Sequence, residues 1–356
     1  MKVADFAIES TCYLGPSGEA VGPLPAFAKD SGELFLLYRA MVMARTFDSK
    51  AIALQRTGRL GTYASSLGQE AVAVGVASAM RASDVLLPSF REHGAQLCRG
   101  VSLKELLLYW GGDERGNDFA GPRQDFPNCV PVASHAPHAL GVAMAFRLRK
   151  EKRVAVCMFG DGATSKGDVA EALNMAGVWK VPALFVISNN GWAISVPLRS
   201  QTAAQTLAQK AIAAGISGEQ VDGNDVIAVR DGVSRAIERA DRGDGPTLIE
   251  AVTYRLSDHT TADDASRYRS DAEVSRHWHS EPIARLRNHM VQIGIWDKAK
   301  EDALLRECSA AVERAVEDYL TNPPPAPETM FDHVYDRLPA DLADQRNSFL
   351  GQEEAT

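Results

Sequence analysis

Arg153-Val-Ala-Val-Cys-Met-Phe-Gly160-Asp161-Gly162-Ala163-Thr-Ser165 opens the stretch that decides the fold. It closes, after residues 166–181, with Pro182-Ala-Leu-Phe-Val-Ile-Ser-Asn189-Asn190-Gly-Trp192-Ala-Ile-Ser-Val-Pro197. Residues 154–159 are a short, nearly unbroken apolar run rich in strand formers, which is how a strand buried on both faces reads. The run stops at Gly160-Asp161-Gly162, where two glycines permit a tight turn and close approach of backbone to a ligand. Residues 168–179 read as a helix, and 183–188 as a second buried strand ending in Asn189-Asn190. Both polar clusters thus fall at the carboxyl ends of parallel strands, where open α/β sheets bind ligands.

Working outward, 356 residues suffice for two domains, or for one large domain with extensions. A net charge of −8 argues against a nucleic-acid partner, which needs a clustered basic face. No apolar stretch reaches the length of a membrane span, and Met1-Lys2-Val3-Ala4-Asp5 lacks a hydrophobic signal core. Five scattered cysteines without a Cys-x-x-Cys pair point to a reducing, cytoplasmic setting, with Cys157 a small core residue.

Residues 1–30 are rich in Gly and Pro and read as an arm, extended or docked elsewhere. Ser31 is a plausible N-cap for a helix that runs to Thr57 and ends at Gly58. A helix of small residues is expected over 69–80, a short strand over 84–88, and a helix over 101–109. Phe90-Arg91 beside that strand end suits an anion, although an exposed turn with one stacked Arg reads equally well. The polar stretch 111–131 is long for filler. His135 and His138, three apart at the start of a helix to Lys150, have no third metal ligand at matching spacing. Further helices are expected over 202–214 and over 226–239, the latter capped by Asn224 or Asp225, with a buried strand over 247–252. A polar loop with His259 follows. Residues 271–320 read as charged helix, and a proline-rich break at 323–327 precedes a short helical end. The expected class is α/β: a mostly parallel central sheet over 31–270 flanked by helices, with a helical N-terminal region and a helical extension over 271–356.

Asp161 and Asn190, with a backbone carbonyl near Trp192, are hard oxygen donors. Three such ligands leave octahedral positions for phosphate oxygens and water, which suits Mg2+. The helix starting near Gly167 would aim N–H groups at a diphosphate. Gly160-x-Gly162 alone is weak, and with its third glycine displaced it is not a dinucleotide fingerprint.

The ordered combination of strand, Gly-Asp-Gly, helix, strand and Asn-Asn resembles the thiamine-diphosphate-binding motif. Gly58 to Tyr63, Gly68-Gln69-Glu70-Ala71, Phe90-Arg91-Glu92, residues 201–215, residues 221–225, His259 to Asp264 and Arg267-Tyr268-Arg269 extend the likeness over about residues 30–345. They are similar to the alpha subunits of the decarboxylating first component of 2-oxo acid dehydrogenase complexes, closest to the bacterial two-subunit pyruvate form. The resemblance implies Mg2+ on Asp161, Asn190 and the carbonyl of Trp192. It implies diphosphate contacts from Gly160, Gly162, Ala163 and Arg91 with Phe90 beside them, cofactor support from Val130 and Val132, and a role for His259 near the reaction centre. Residues 129–138 depart from several relatives. Trp192 stands where Tyr or Phe is usual, which a backbone ligand tolerates. By composition alone His259 is a solvated loop residue; the resemblance is what assigns it a role in catalysis or cofactor ordering.

The resemblance further implies that this chain supplies only half a site. A beta subunit is expected to grip the pyrimidine and bring its glutamate, in an assembly of two alpha and two beta chains. The lipoyl domain of the acyltransferase component and pyruvate, or a related 2-oxo acid, complete the expected partners. A branched-chain 2-oxo acid dehydrogenase alpha subunit, similar over His259 to Asp264, is the nearest rival, an acetoin-cleaving relative is a third possibility, and a non-catalytic α/β subunit is the rival of a different class.

Overall fold

The computed structural model describes residues 1–332 and 334–353. Strand β1 (Glu9–Thr11) precedes helices α1 (Ser31–Arg56) and α2 (Glu70–Ala79). Strand β2 (Val85–Leu87) leads to α3 (His93–Arg99), α4 (Leu103–Trp110) and α5 (His135–Arg149). Then come β3 (Ala155–Gly160), α6 (Gly167–Trp179), β4 (Ala183–Asn189) and a small ribbon of β5 (Trp192–Ala193) and β6 (Val196–Pro197). Short helices α7 (Leu198–Gln201) and α8 (Lys210–Ala214) lead to β7 (Ser217–Asp222), α9 (Val226–Asp241) and β8 (Thr247–Val252). The tail is helical: α10 (Asp271–Trp278), α11 (Pro282–Gln292), α12 (Lys298–Leu320), α13 (Thr329–Asp332) and α14 (Ala340–Glu353).

The six long-range strands pair in the order β1-β7-β8-β4-β3-β2, all parallel, as the α/β reading requires. Successive strands step inward from the edge strand β2 through β3 to β4, and the chain then jumps past β8 to β7 and returns to β8. The reversal lies between β4 and β8, and such switch points leave a crevice at the carboxyl ends of the strands. The apolar runs explain themselves once the sheet is built. Ala155, Cys157 and Phe159 of β3, with Ala183, Phe185 and Ile187 of β4, pack under α5 and α6. Val154, Val156 and Met158, with Leu184 and Val186, pack under α2 and α9 on the other face. Two buried faces need apolar residues at every position, so alternation vanishes. A second body of core joins α1 to α11 and α12, carrying the tail on the N-terminal helix.

Several expectations are corrected. Of the two readings of the arm, docking holds: Glu9–Thr11 pairs in register with Glu219–Val221 and forms the sheet edge. Asp30, not Ser31, caps α1, its Oδ1 accepting from the Gly32 N–H at 2.7 Å. Residues 202–214 are not one helix, because tertiary bonds outweigh the alanine propensity. Thr206 starts a new turn with Gln209, and buried Glu250 accepts the Ala208 N–H at 3.0 Å. Strand β7 is absent from the sequence reading because Ser-Gly-Glu-Gln-Val-Asp has no apolar run; most of its residues are half-buried near the sheet edge.

Asp225, of the two caps considered, heads α9 and also fastens the arm. One oxygen accepts the N–H groups of Ile227 and Ala228, and the other those of Tyr13 and Leu14, at 2.7–3.3 Å. Asp225→Ala strips a helix cap and orphans buried donors together. A loss of about 2–4 kcal/mol is expected in urea unfolding; a loss under 1 kcal/mol would show the arm is held elsewhere.

Candidate cofactor site

A cavity of about 260 Å3 opens at the carboxyl ends of β3 and β4. Gly160, Asp161, Gly162 and Ala163 line it from the turn after β3, and Ser188, Asn190 and Trp192 from the end of β4. Phe90 and Arg91, after β2, and His259, after β8, close two further sides. Register makes the meeting inevitable: Gly160 pairs with Ser188, so Asp161 and Asn190 emerge from neighbouring strands at almost the same height. A Cβ on Gly162 would lie 2.7 Å from the Ala193 Cβ, so only glycine lets the turn pass the β5 ribbon.

Asp161 is buried, and burial raises its carboxyl above the usual range, opposed first by a hydrogen bond from Gln201. The Gln201 Nε2 donates to Asp161 Oδ2 at 2.6 Å and to the Val196 carbonyl at 3.0 Å. Asn190 Oδ1 accepts the Trp192 N–H at 3.2 Å, while its Nδ2 donates to Gln69 Oε1 at 2.9 Å. The Gln69 Nε2 is buried without a hydrogen-bond partner among the described residues. A carboxylate, an amide oxygen and the nearby Trp192 carbonyl are a donor set for a hard cation, and an orphaned N–H donor beside them suits an anion.

Arg91 supplies the opposite charge. Its Nη1 donates to the Ser65 carbonyl at 2.7 Å, and its Nη2 to His259 Nδ1 at 2.8 Å and the His259 carbonyl at 2.6 Å. Burial, then Arg255 nearby, lowers the guanidinium to about 10. An arginine has no lone pair to offer, so His259 Nδ1 must accept and the ring proton resides on Nε2. Burial, followed by the charges of Arg91 and Arg255, lowers the imidazole to about 4. Phe90 stands edge-on to the ring, with centroids 6.0 Å apart.

Residues 38–328 match the family described as dehydrogenase E1 component. The chain belongs to that family. Among E1 relatives, the 3-methyl-2-oxobutanoate dehydrogenase subunit alpha of Mycobacterium tuberculosis is 42% identical over 97% of this chain and 94% of its own. The pyruvate dehydrogenase E1 component subunit alpha of Acholeplasma laidlawii is 39% identical over 88% of this chain and 91% of its own. Its Staphylococcus aureus counterpart is 37% identical over 90% and 87%. Thiamine diphosphate is the cofactor that the family implies.

Within this E1 chain the cavity gathers ten of the eleven site residues expected from the sequence; Val130 is the exception. Val130 is 55% exposed and stands outside the lining, and Val132 lines the mouth half-exposed. His135 does not act with His138 as a metal pair: its Nε2 bonds the Met158 carbonyl at 2.7 Å. The described residues hold no group of three His, Cys, Asp or Glu able to bind a metal. No described helix is long and apolar enough to cross a membrane.

Three side chains that bond residues at the cavity escaped the sequence reading. Gln69 and Gln201 show no spacing signal; both lie in segments that carry the family resemblance, which assigns neither a role. Arg255 is fully buried, donating to the Ile194 carbonyl at 2.8 Å and to the Tyr268 hydroxyl at 2.9 Å. It thereby holds Ile194, a β-branched residue at φ 55, in a conformation that costs about 1–3 kcal/mol.

The His259 loop closes on itself and on the site. Asp263 accepts the His259 N–H at 2.8 Å and also the Tyr268 hydroxyl, and Thr261 bonds Tyr63 through both backbone and side chain. Because the folded pKa of His259 is depressed, the closed loop is favoured above the usual imidazole value and loses that support as pH falls from about 6.5 towards 4. Hydrogen exchange over residues 257–264, corrected for intrinsic rate, is expected to accelerate across that window. No change in protection would contradict the assignment of Nδ1 as acceptor.

Proposed function

We propose that this chain is the alpha subunit of a 2-oxo acid dehydrogenase first component, anchoring the Mg2+–diphosphate end of thiamine diphosphate in the cytoplasm. The observation that carries the reading is the convergence of Asp161, Asn190, Arg91 and His259 on one cavity at the sheet's switch point. Asp161, Asn190 and the Trp192 carbonyl would hold Mg2+; Arg91 and the Gly162–Ala163 backbone would hold the diphosphate. When bound, the cofactor supplies a carbon nucleophile and an electron sink for decarboxylation. The residues of this chain do the rest of the work on this side: they neutralise phosphate charge, keep it out of bulk water, and fix its orientation. His259, neutral with its proton on Nε2, is a donor near the reaction centre and helps the reductive acylation of the lipoyl domain.

A beta subunit completes the assembly. Val132 and Ile194 are exposed apolar side chains on the cavity lining, and Val130 and Val196, two positions from them in the chain, are exposed as well, which suits a protein partner. The pyrimidine half of the site, with its glutamate, belongs to that partner in this reading.

Among substrates we rank 3-methyl-2-oxobutanoate first, because the relative so named matches 97% of the chain, beyond the span of the pyruvate relatives cited. Pyruvate is the second reading, on the motif resemblance. Co-purified alpha and beta chains, assayed for kcat/KM on both acids, decide between them. An excess of tenfold or more for pyruvate would reverse the ranking, and no Mg2+-dependent thiamine diphosphate binding at all would sink the enzymatic reading.

A further inference from the structure

We propose that Gln69 and Gln201 are a pair of positioning residues, each of which turns one oxygen of a cation ligand into the cavity. The inference rests on the Mg2+ reading of Asp161 and Asn190 and adds two side chains from distant parts of the chain.

The hydrogen bonds leave no freedom in the assignment. Asn190 Oδ1 accepts the Trp192 N–H, so the other end of that amide, Nδ2, is the one facing Gln69. A side-chain N–H2 can only donate, and Gln69 must therefore present Oε1. Its Nε2 is left buried with no partner among the described residues. Gln201 faces two acceptors, the Asp161 carboxylate and the Val196 carbonyl, so it must present Nε2 to both. Its Oε1 is the atom left buried and unpartnered. Each glutamine thus sacrifices one amide atom to satisfy a ligand with the other. Buried polar groups are usually satisfied. Other described residues, Gln96 and His289 among them, also leave an atom unpartnered. What sets this pair apart is that each bonds a side chain on the cavity lining, Asn190 or Asp161.

The chemistry accounts for the choice of residue. A carboxylate that accepts at Oδ2 from Gln201 keeps Oδ1 for the cation. A lysine or arginine at 201 would orient Asp161 equally well, but would neutralise the charge that attracts the metal. An amide orients by its dipole and leaves the net charge alone. Gln69 sits at the entrance to α2, 4% exposed, where its reach is set by a rigid element. Gln201 closes α7 and also grips the β6 strand, so the ribbon carrying Trp192 and the ligand Asp161 are braced by one side chain.

The test uses the full chain co-purified with its beta partner and reads Mn2+ binding by electron paramagnetic resonance, without substrate. Gln69→Met and Gln201→Met keep side-chain length and remove the hydrogen bond. Each is expected to weaken Mn2+ binding by about 10–100-fold. Gln69→Glu retains an acceptor for Asn190 Nδ2 and is expected to recover affinity to within about fivefold of the native protein. Gln69→Met orphans the buried Asn190 Nδ2, so its thermal midpoint without metal is expected to fall, and Mn2+ binding is therefore read well below the midpoint of each variant. Unchanged Mn2+ affinity in both methionine variants would overturn the proposal. So would a Gln69→Glu protein as weak as Gln69→Met, because the acceptor oxygen would then not be the operative atom. Failure of the native complex itself to bind Mn2+ defeats the proposed function instead, and is seen before any variant is made.

Discussion

Asp161→Asn is expected to abolish Mg2+-dependent retention of thiamine diphosphate and to cut turnover of the alpha–beta complex by roughly 10³-fold. The same substitution is expected to leave the metal-free chain as stable as before, or more so. Asp161 is 1% exposed, and burial holds its carboxyl above the usual range. The fold therefore favours the protonated form, and the native chain forfeits stability as pH rises from the ordinary carboxylate range through the raised value. Asparagine removes the charge, keeps an oxygen for the Gln201 amide, and so removes that slope. Opposite signs for function and stability distinguish a ligand from a packing residue. Thermal melts at several pH values, with equilibrium dialysis for cofactor, give both numbers. A destabilised protein that still binds cofactor normally would refute the assignment.

Arg91→Lys is expected to weaken cofactor binding by about 10²-fold and to loosen the His259 loop at the same time. The guanidinium reaches three acceptors from one planar fork: the Ser65 carbonyl, His259 Nδ1 and the His259 carbonyl. An ammonium is a point charge on a flexible stem and cannot span the same set. The loop bonds through Asp263 and Thr261 remain in the variant, so loosening should centre on His259. Hydrogen exchange at residues 257–260 separates this from general unfolding. Equal protection in both proteins, with cofactor affinity unchanged, would show that Arg91 serves the loop and the diphosphate in neither way.

Much of the site was legible in the sequence because it is carried by backbone. A strand that ends in Gly-Asp-Gly and a neighbour that ends in Asn-Asn can deliver a carboxylate and an amide to one point only if the strands are parallel and adjacent, as β3 and β4 are. Phe90-Arg91 at a strand end suited an anion or a plain exposed turn equally, and the resemblance was what favoured the anion; His259 was singled out by resemblance alone. Gln69 and Gln201 lie in segments that carry the resemblance, but the contacts they make were not legible: a glutamine amide carries no periodic or turn signal, and its part appears only when its partner is known. Strand β7 failed for a related reason. A polar strand one place in from the edge owes its position to two neighbours, β1 and β8, and to Gln220 bonding buried Glu250, none of which its own residues announce. The segment after Gln201 misled in the opposite direction, with helix propensity of a few tenths of a kcal/mol per residue overridden by buried hydrogen bonds.

Returning to residues 153–197, the sequence by itself determined that two fully buried strands meet a Gly-Asp-Gly turn and an Asn pair, because burial on both faces and tight turns restrict residue type directly. How those side chains point is set by tertiary contacts. Orientation depends on hydrogen bonds from residues 40 to 121 positions away, Gln201 on Asp161 and Gln69 on Asn190, and on the carbonyl of Ile194 held by Arg255. Long-range bonds between unlike side chains leave no pattern in a linear chain. The folded sheet is what brings them within 3 Å of one another.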